Sequence, residues 1–527
     1  MDGVAWGRDV LRRSTRPPFL VYEPRLHHAA HLLAEAERWA DRDFLVQGPR
    51  RLTYRQVLDA VPHVAARLRA AGLEPGERLL LLAGNSPEWV VALLAAFHAD
   101  AVPVPGGTSW SAAEVRHVVR LTDPAVVVVD ERSRPLLDPS SRALVLDVAT
   151  LRTWAEAPGP ERLPLPAGDP DREDEPAVVL PTAGTTGAAK AVALAHRSVV
   201  LNLHALLDVA GRLPHELDLS RPPTVTLLSG PLFHVGGLQP LLLSLLTAST
   251  VVFLSSGFDA REVLDLLERE RVRVWGAVPT MVVRVLAEPS LPGRDLASLR
   301  SVSLGGAPVS PRLLERMRAA FPQAARGVST VYGLTEAGGT ITSASGALMV
   351  DHPDTAGRPV PLAEVRVLAP GPDGCGEIVV RTPSQMLGYW GGSAAGLLDQ
   401  DGWLHTGDVG RVEGGLLYLT GRSKDVVIRG GENVAAAHVE AALGTHPGVA
   451  AAAVVALPDD EYGEVVAAAV QVHEGTSVAV EELRAHVSGL LAGFEVPTQW
   501  WLLTDDLPVS ASGKVDKRAV RAGWPLA

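Results

Sequence analysis

The stretch from Ser249 to Thr280, STVVFLSSGFDAREVLDLLERERVRVWGAVPT, contains the pattern of a strand, a helix and a second strand in succession. Its two ends are short β-branched and apolar runs, whereas in the middle segment, FDAREVLDLLERER, apolar residues return every three or four positions. Strands that alternate with helices in this way are typical of β-α-β units. We therefore predict an α/β fold with parallel strands that are buried on both faces.

The alternation continues toward the N-terminus and changes toward the C-terminus. Strand-like runs bounded by Gly, Pro or Asp occur at 78–84, 124–130, 176–184 and 224–230. From about residue 357 the pieces become shorter and more alternating, as in AEVRVLAP, GEIVVRTP and GGLLYLTGR, which predicts a small β subdomain built from hairpins. The turn-forming, charged TGRSKD then precedes a region with its own helix and strand patterns. We predict an N-terminal domain over 1–421 and a C-terminal α+β domain over 422–527.

Composition limits the class of protein. The chain has 527 residues, 47% of them hydrophobic, which is enough for more than one core. A net charge of −12 excludes the broad basic surface of a nucleic-acid-binding protein, and the single cysteine, Cys375, excludes a disulfide framework. The N-terminus lacks a secretory signal pattern and no apolar run is long enough to span a membrane. We expect a cytoplasmic protein without a membrane span, and leave its oligomeric state open.

The segment PTAGTTGAAKAVALAH, residues 181–196, combines two glycines and three threonines with one lysine, Lys190. A loop of this composition after an apolar strand offers backbone N–H groups, hydroxyls and an ammonium group to phosphate oxygens. Only two residues separate Gly187 from Lys190, so the segment does not fit the P-loop of NTPases. A phosphate-binding loop is one interpretation, and an ordinary surface turn is the alternative.

Six further segments follow this loop in a fixed order: PLFHVGGL (231–238), SLGGAPVS (303–310), VYGLTEAGG (331–339), GWLHTGDVG (402–410), LTGRSKDVVIRGGENV (419–434) and LPVSASGKVDKR (507–518). Together with TAGTTGAAK they resemble the adenylate-forming superfamily of acyl-CoA synthetases, nonribosomal adenylation domains and luciferases. The resemblance covers nearly the whole chain. It implies a large N-terminal domain of two α/β subdomains and a small β subdomain, followed by a small mobile C-terminal α+β domain with its hinge near Lys424.

The segment YGLTE places an aromatic face, a hydroxyl and a carboxylate within five positions. One carboxylate suffices for Mg²⁺ that bridges phosphates, because this ion keeps several waters. The resemblance implies that Tyr332 stacks on adenine, Thr335 contacts the α-phosphate and Glu336 holds Mg²⁺. A solvated glutamate on an exposed turn is the alternative.

The resemblance also implies roles for residues elsewhere in the chain. Asp408 would bind the ribose hydroxyls, Lys514 would be the catalytic lysine, and His234 would line the acyl pocket and gate the path of the thiol. The implied catalytic residues are Lys514, Thr335, Glu336 and His234. The implied nucleotide-binding residues are Thr182, Gly184, Thr185, Thr186, Gly187, Lys190, Gly306, Ala307, Pro308, Tyr332, Gly333, Asp408, Arg422, Lys424, Gly430 and Gly431. The implied substrate-binding residues are His234, Ala277, Val278, Pro279, Thr280, Gly305 and Gly338.

A cluster of His27, His28 and His31 has the helical spacing of metal ligands. No cysteine or carboxylate stands beside these histidines in the sequence. We therefore expect a surface helix here rather than a metal site.

The function that the resemblance implies is that of an acyl-CoA ligase, which uses ATP and Mg²⁺ to activate a carboxylic acid as acyl-AMP and transfers the acyl group to coenzyme A. Apolar residues at 231–246 and 274–283 favour a hydrophobic or aryl acid. RGGENV resembles CoA ligases, which favours coenzyme A over a discrete acyl carrier protein, the alternative acceptor. A homologue that binds adenylates without turnover is a third hypothesis.

Several positions depart from the family pattern. The phosphate loop has Ala183, Ala189 and Ala191 where the family usually has Ser, Pro and Gly. These changes raise the hypothesis that adenylation is impaired and that the chain only converts preformed acyl-AMP to a thioester. Ala436 and His438 also replace the usual Pro and Glu, and Glu495 stands where Lys is common.

Overall fold

The computed structural model describes residues 6–13, 17–138, 142–157, 162–182, 189–306, 309, 311–392, 396–422, 425–429, 432–459, 462–510 and 513–525. Its strands are β1 (Asp9–Arg12), β2 (Leu20–Glu23), β3 (Asp43–Gln47), β4 (Arg50–Thr53), β5 (Arg78–Leu82), β6 (Val102–Pro105), β7 (Val126–Val129), β8 (Leu144–Asp147), β9 (Pro176–Thr182), β10 (Lys190–Ala195), β11 (Val225–Leu228), β12 (Thr250–Phe253), β13 (Val274–Ala277), β14 (Ser301–Gly305), β15 (Val328–Leu334), β16 (Gly339–Ser345), β17 (Arg358–Pro359), β18 (Glu364–Leu368), β19 (Gly376–Arg381), β20 (Gly388–Tyr389), β21 (Leu404–Glu413), β22 (Leu416–Arg422), β23 (Val426–Arg429), β24 (Glu432–Ala435), β25 (Val449–Asp459), β26 (Gly463–Val472) and β27 (Gln499–Leu503).

The α-helices of the described residues are α1 (Leu32–Ala36), α2 (Tyr54–Ala70), α3 (Pro87–His98), α4 (Ala112–Thr122), α5 (Val148–Glu156), α6 (His196–Val209), α7 (Val235–Leu246), α8 (Ala260–Arg269), α9 (Pro279–Ala287), α10 (Pro311–Ala320), α11 (Leu348–Asp351), α12 (Ala436–Gly444), α13 (Val480–Ser488) and α14 (Lys517–Ala522). Among them, none combines the length and the apolar character that crossing a membrane requires.

The opening stretch forms the predicted β-α-β unit, β12-α8-β13. The Asp259 carboxylate caps α8 by accepting from the Glu262 backbone N–H at 2.7 Å, and Arg271, at a φ of 52°, turns the chain out of the helix. These strands belong to a nine-stranded sheet with the order β17-β16-β15-β14-β13-β11-β12-β3-β4. Its strands from β15 to β3 run parallel, which confirms the α/β prediction.

A second parallel sheet has the order β6-β5-β7-β8. Leu79 to Leu82 on β5 are fully buried, and each side chain stabilises the fold by about 2 kcal/mol relative to an exposed one. The prediction of a parallel strand at 176–184 is wrong, because β9 pairs antiparallel with β10 in a three-stranded sheet, β20-β10-β9. The physical reason is the short connection between Thr182 and Lys190, which allows a hairpin but no crossover.

The last two sheets match the predicted small β subdomain and C-terminal domain. Strands β18-β19-β21-β22 form an antiparallel sheet, and β24-β23-β26-β25, with β27 parallel to β26, form the other. The C-terminal domain has a core of its own, built around buried Val439, Leu443, Val466 and Leu483. The predicted arrangement of two α/β units, a β unit and an α+β domain is confirmed.

Candidate active site

The site lies where the parallel strands of the nine-stranded sheet end. Ala277, Gly305 and Leu334 are the last residues of β13, β14 and β15, and these neighbouring strands are parallel. The carboxyl ends of parallel strands form one edge of the sheet, where open α/β proteins bind ligands. This topology brings together three segments that are separated in the sequence, at the ends of β13, β14 and β15.

Tyr332 and Asp408 meet although 76 residues separate them. The Tyr332 hydroxyl donates to Asp408 Oδ2 at 2.6 Å, and the Asp408 residue is 5% exposed. On the adjacent strand, Arg422 lies opposite Asp408 in the β21-β22 ladder. An aromatic ring and a buried carboxylate side by side suit a nucleoside, whose base needs a flat face and whose ribose needs acceptors.

Glu336 and Lys190 approach each other through a third residue, Tyr389. The Tyr389 hydroxyl donates to Glu336 Oε1 at 3.1 Å, and Lys190 Nζ lies 4.6 Å from the centre of the tyrosine ring. Burial, followed by the negative charge of Glu336, raises the pKa of Tyr389, so its hydroxyl stays protonated at neutral pH. Glu336 and Thr335 both belong to a short 3-10 helix, Thr335–Ala337, directly after β15.

Lys514, from the C-terminal domain, reaches this edge of the sheet. A Cβ atom built on Gly306 would lie 3.1 Å from Lys514 Cε and 3.7 Å from Lys514 Nζ. The adjoining Gly513 is fixed there because its carbonyl accepts from the Thr280 hydroxyl at 2.9 Å. Val278 packs against the same two glycines. The predicted catalytic lysine and the GAVPT segment therefore form one wall of the site.

His234 directly precedes α7, and its side chain makes no capping hydrogen bond to the helix. Burial, and to a smaller extent the charge of Lys514, lowers the pKa of His234 to about 4, so the ring is neutral at neutral pH. Its Nε2 atom is buried without a hydrogen-bond partner among the described residues. A neutral ring fits a pocket wall better than a proton carrier.

Gly333 and Gly338 are required by close backbone packing. A Cβ atom on Gly333 would lie 2.0 Å from the Gly339 carbonyl oxygen, and one on Gly338 would lie 2.0 Å from that of Ser384. Gly338 also has a φ of 74°, which disfavours other residues. These glycines hold the turn that carries Glu336, in addition to any contact with a ligand.

The described residues do not include every predicted position. Thr182 pairs with Lys190 in the β9-β10 ladder, on either side of the predicted phosphate-binding loop, and Pro279 begins α9. Nine predicted residues lie outside the described residues: Gly184, Thr185, Thr186, Gly187, Ala307, Pro308, Lys424, Gly430 and Gly431.

The expectation of a surface helix is wrong for His28, which is 1% exposed. Its ring stacks on His196 at 3.7 Å, and its Nε2 lies 3.1 Å from Asp100 Oδ1. These three residues have the spacing of a metal site. However, His28 Nδ1 accepts from the Ala30 N–H and His196 Nδ1 from the Ala29 N–H, so in each ring the proton is carried on Nε2. This arrangement leaves no Nε2 lone pair for a metal and instead ties α6 to the N-terminal segment.

The sequence profile of the AMP-binding enzyme family matches residues 32–390, and that of the AMP-binding enzyme C-terminal domain matches residues 438–514. The chain belongs to the AMP-binding enzyme family. Its similarity to ATP-bound MatB from Rhodopseudomonas palustris extends over 94% of this chain and 99% of that one, with a TM-score of 0.83 and 27% identity.

This AMP-binding enzyme also resembles curated proteins over most of their length. It is 34% identical to a feruloyl-CoA synthase of an Amycolatopsis species, over 89% of this chain and 93% of the other. It is 32% identical to the fatty acid–[acyl-carrier-protein] ligase ScoC of Streptomyces coeruleorubidus, over 90% and 91% of the two chains. It is also 32% identical to an indoleacetate–CoA ligase of Aromatoleum aromaticum, over 92% and 98%.

Three departures of this AMP-binding enzyme from the family pattern, Ala191, His438 and Glu495, have a structural explanation. The Ala191 methyl group is buried in the hydrophobic cluster of Leu80, Val127 and Val179, and neighbouring strand residues point to opposite faces. It therefore does not crowd the face on which Lys190 lies. His438 and Glu495 contact each other at 3.0 Å, so the two substitutions form a new pair.

The donors of this AMP-binding enzyme fit Mg²⁺ bound to phosphates. Glu336 supplies a carboxylate whose Oε1 is held by Tyr389, and Oε2 has no hydrogen-bond donor among the described residues. One oriented carboxylate is what such an ion takes from a protein. Sequence reasoning missed Tyr389. The only local signal was an aromatic residue in GYW, residues 388–390, and its partners are far away in the chain.

Proposed function

We propose that this chain is an acid–thiol ligase, an AMP-forming acyl-CoA synthetase for a hydrophobic or aryl carboxylic acid. The observation that carries the proposal is the approach of Lys514 to Gly306, directly after β14. The neighbouring strand β15 carries Tyr332, which pairs with Asp408, and leads directly into the 3-10 helix that contains Glu336. An ammonium group, a nucleoside-binding pair and a metal-binding carboxylate are the groups that adenylation requires.

In the first half-reaction, the substrate carboxylate attacks the α-phosphate of ATP and pyrophosphate leaves. Tyr332 and Asp408 bind the adenosine, and the Thr335 hydroxyl donates a hydrogen bond to an oxygen of the α-phosphate. The ammonium group of Lys514 neutralises the charge that develops between the carboxylate and the α-phosphate. Lys190 and the loop before it bind the leaving phosphates, with Thr182, Gly184, Thr185, Thr186 and Gly187 as the proposed loop residues.

Glu336 would hold Mg²⁺, which supplies charge neutralisation on the phosphates when it is bound. Other proposed nucleotide contacts come from Gly306, Ala307, Pro308, Gly333, Arg422, Gly430 and Gly431. Backbone pairing supports the role of Arg422, since this residue lies opposite Asp408 in the ladder.

The acyl pocket is proposed to lie between α7 and the carboxyl ends of β13 and β14. Its proposed walls are His234, Ala277, Val278, Pro279, Thr280, Gly305 and Gly338. All of these residues are uncharged at neutral pH, including His234, whose pKa is lowered to about 4 by burial. Neutral walls favour an apolar or aryl acid over a charged amino acid.

The second half-reaction opens acyl-AMP with a thiol. We propose coenzyme A as the acceptor, because two of the three curated relatives described above are named CoA synthase or CoA ligase. Loading of an acyl carrier protein has less support, although one relative is named for it. We further propose that 1–421 and 422–527 are separate domains with a hinge near Lys424, since β22 and β23 belong to different sheets. A reaction that consumes ATP and coenzyme A suits a cytoplasmic location.

The test is a panel of aryl, aliphatic and dicarboxylic acids with ATP and Mg²⁺. Pyrophosphate release is measured first, and mass spectrometry then detects thioesters in mixtures that contain either coenzyme A or a phosphopantetheinylated carrier protein. We expect pyrophosphate and a CoA thioester with at least one aryl or hydrophobic acid. Thioester formed only from synthetic acyl-AMP would establish the half-reaction alternative, and no product from either start would refute the proposal.

A further inference from the structure

Tyr389 contacts both the carboxylate that is proposed to bind the metal and the lysine that follows the proposed phosphate loop. Its hydroxyl lies 3.1 Å from Glu336 Oε1, and its ring centre lies 4.6 Å from Lys190 Nζ. Lys190 lies on β10 of the three-stranded sheet. Glu336 lies in the 3-10 helix that follows β15 of the nine-stranded sheet. Tyr389 therefore joins two parts of the site that the strand topology leaves separate.

The backbone around Tyr389 is fixed on both sides. The Met386 N–H donates to the Glu336 carbonyl at 2.8 Å, so the segment is bound to the same residue whose carboxylate the phenol holds. The Leu387 N–H donates to the Ala193 carbonyl at 2.9 Å, and the Trp390 N–H donates to the Ala191 carbonyl at 2.7 Å. In the ladder, Tyr389 lies opposite Val192, two residues beyond Lys190. These hydrogen bonds fix the backbone around Tyr389 relative to Glu336 and to the strand that carries Lys190.

This contact pattern has a specific electrostatic consequence. A phenol that donates to one oxygen of a carboxylate fixes the rotamer of that carboxylate and leaves its negative charge in place. A cation over an aromatic ring is held near the site through the ring quadrupole, again without neutralising the carboxylate. In a direct Lys190–Glu336 ion pair, Lys190 would compete with Mg²⁺ for Glu336, and Glu336 would compete with phosphate for Lys190.

We propose that Tyr389 is a positioning residue for adenylation: its hydroxyl orients Glu336 toward the divalent cation, and its ring holds Lys190 in place for the polyphosphate of ATP. This inference rests on the proposed function. It assigns one role to the Tyr389 hydroxyl and another to the ring, and two substitutions test these roles separately.

The test uses the full chain and isothermal titration with α,β-methylene-ATP, an analogue that cannot release pyrophosphate. Its affinity is measured with EDTA and with Mn²⁺, and Mn²⁺ binding to the complex is followed separately by electron paramagnetic resonance. Tyr389→Phe removes the hydroxyl and keeps the ring, whereas Tyr389→Leu removes both. Tyr418→Phe is the matched control, because it deletes a phenol on β22 that forms a hydrogen bond with His352 Nδ1 and, among the described residues, has no hydrogen bond with Glu336 or Lys190.

We expect Tyr389→Phe to weaken Mn²⁺ binding by about three- to tenfold, the value of one hydrogen bond, with the EDTA affinity for the analogue unchanged. Tyr389→Leu should weaken both affinities, and Tyr418→Phe neither. Wild-type Mn²⁺ affinity in Tyr389→Phe, or an equal loss with and without Mn²⁺, overturns the Tyr389 proposal while leaving the proposed function intact. Failure of the wild-type chain to bind the analogue overturns the proposed function, and the Tyr389 proposal with it.

Discussion

Among single side chains, Lys514 gives the most direct test of the proposed adenylation. The residue is exposed, so a substitution there removes a charge and little buried packing. The backbone of the lysine is held by a hydrogen bond from the Ser510 N–H to the Lys514 carbonyl at 2.6 Å. The adjoining Gly513 is held by the Thr280 hydroxyl, so the position of the ammonium group depends on contacts from both sides.

Lys514→Ala should lower pyrophosphate exchange by about 100-fold or more, because one charge that stabilises the transition state is lost. The thermal midpoint should stay at the wild-type value, and thioester formation from synthetic acyl-AMP should remain. Arg518→Ala, which removes an exposed cation four residues away, is the control. Unchanged exchange in Lys514→Ala would show that this lysine has no part in adenylation.

Between secondary-structure elements, buried or half-buried ion pairs join segments that are distant in the chain. Glu364 on β18 accepts from Arg12 on β1, at 3.0 Å, and from Arg381 on β19, at 3.1 Å. Burial acts to raise the pKa of Glu364, but the hydrogen bonds from Arg381 and Arg12 outweigh it and lower the pKa to about 2. These ion pairs hold the β1-β2 hairpin to the small β subdomain, and they weaken when Glu364 becomes protonated.

Because the folded-state pKa of Glu364 lies below its ordinary value of 4.5, this carboxylate stabilises the fold above pH 4.5, and the stabilisation is lost as the pH falls toward 2. Glu364→Gln should therefore lower the free energy of unfolding at pH 7 by about 1–2 kcal/mol, after allowance for partial exposure. The difference from wild type should shrink between pH 4.5 and 2, measured by denaturant titration. Glu413→Gln, at an exposed pair on β21, should show no such trend, and a constant difference for Glu364→Gln would contradict the assignment.

In the molecule as a whole, contacts between the C-terminal region and the N-terminal sheet decide where Lys514 lies. Arg312 on α10 donates to the carbonyl groups of His446 and Pro447, at 2.7 and 3.2 Å, and Arg284 on α9 pairs with Asp506 at 2.7 Å. Together with the Thr280–Gly513 hydrogen bond, these contacts hold the arrangement in which the Lys514 side chain approaches Gly306. The partners are separated by more than 130 residues in the chain.

Arg312→Ala should slow acyl-AMP formation several-fold, since two hydrogen bonds worth about 1 kcal/mol each favour the arrangement that adenylation uses. Thioester formation from synthetic acyl-AMP should be unaffected or faster. The two half-reactions are measured separately by stopped-flow and mass spectrometry. Arg326→Ala, at an exposed position, is the control, and an equal loss in both half-reactions would contradict an interdomain role.

Local sequence patterns alone determined the secondary structure of the opening stretch and the family of this protein. The period of apolar residues predicted β12, α8 and β13, and the ordered motifs identified the family and named Tyr332, Asp408 and Lys514. These features depend on neighbours within a few residues, so they can be read without coordinates. The antiparallel direction of β9 also follows from a local property, the short connection to β10, once it is recognised.

Tertiary structure alone decided which distant residues meet. Tyr389 contacts Glu336 across 53 residues of sequence, Tyr332 contacts Asp408 across 76, and Thr280 contacts Gly513 across 233. The burial of His28 and the position of the Ala191 methyl group are likewise set by packing against other elements. Sequence patterns encode periodicity and turn chemistry, whereas the meeting of such residues depends on strand order and domain contacts, which no short stretch of the chain contains.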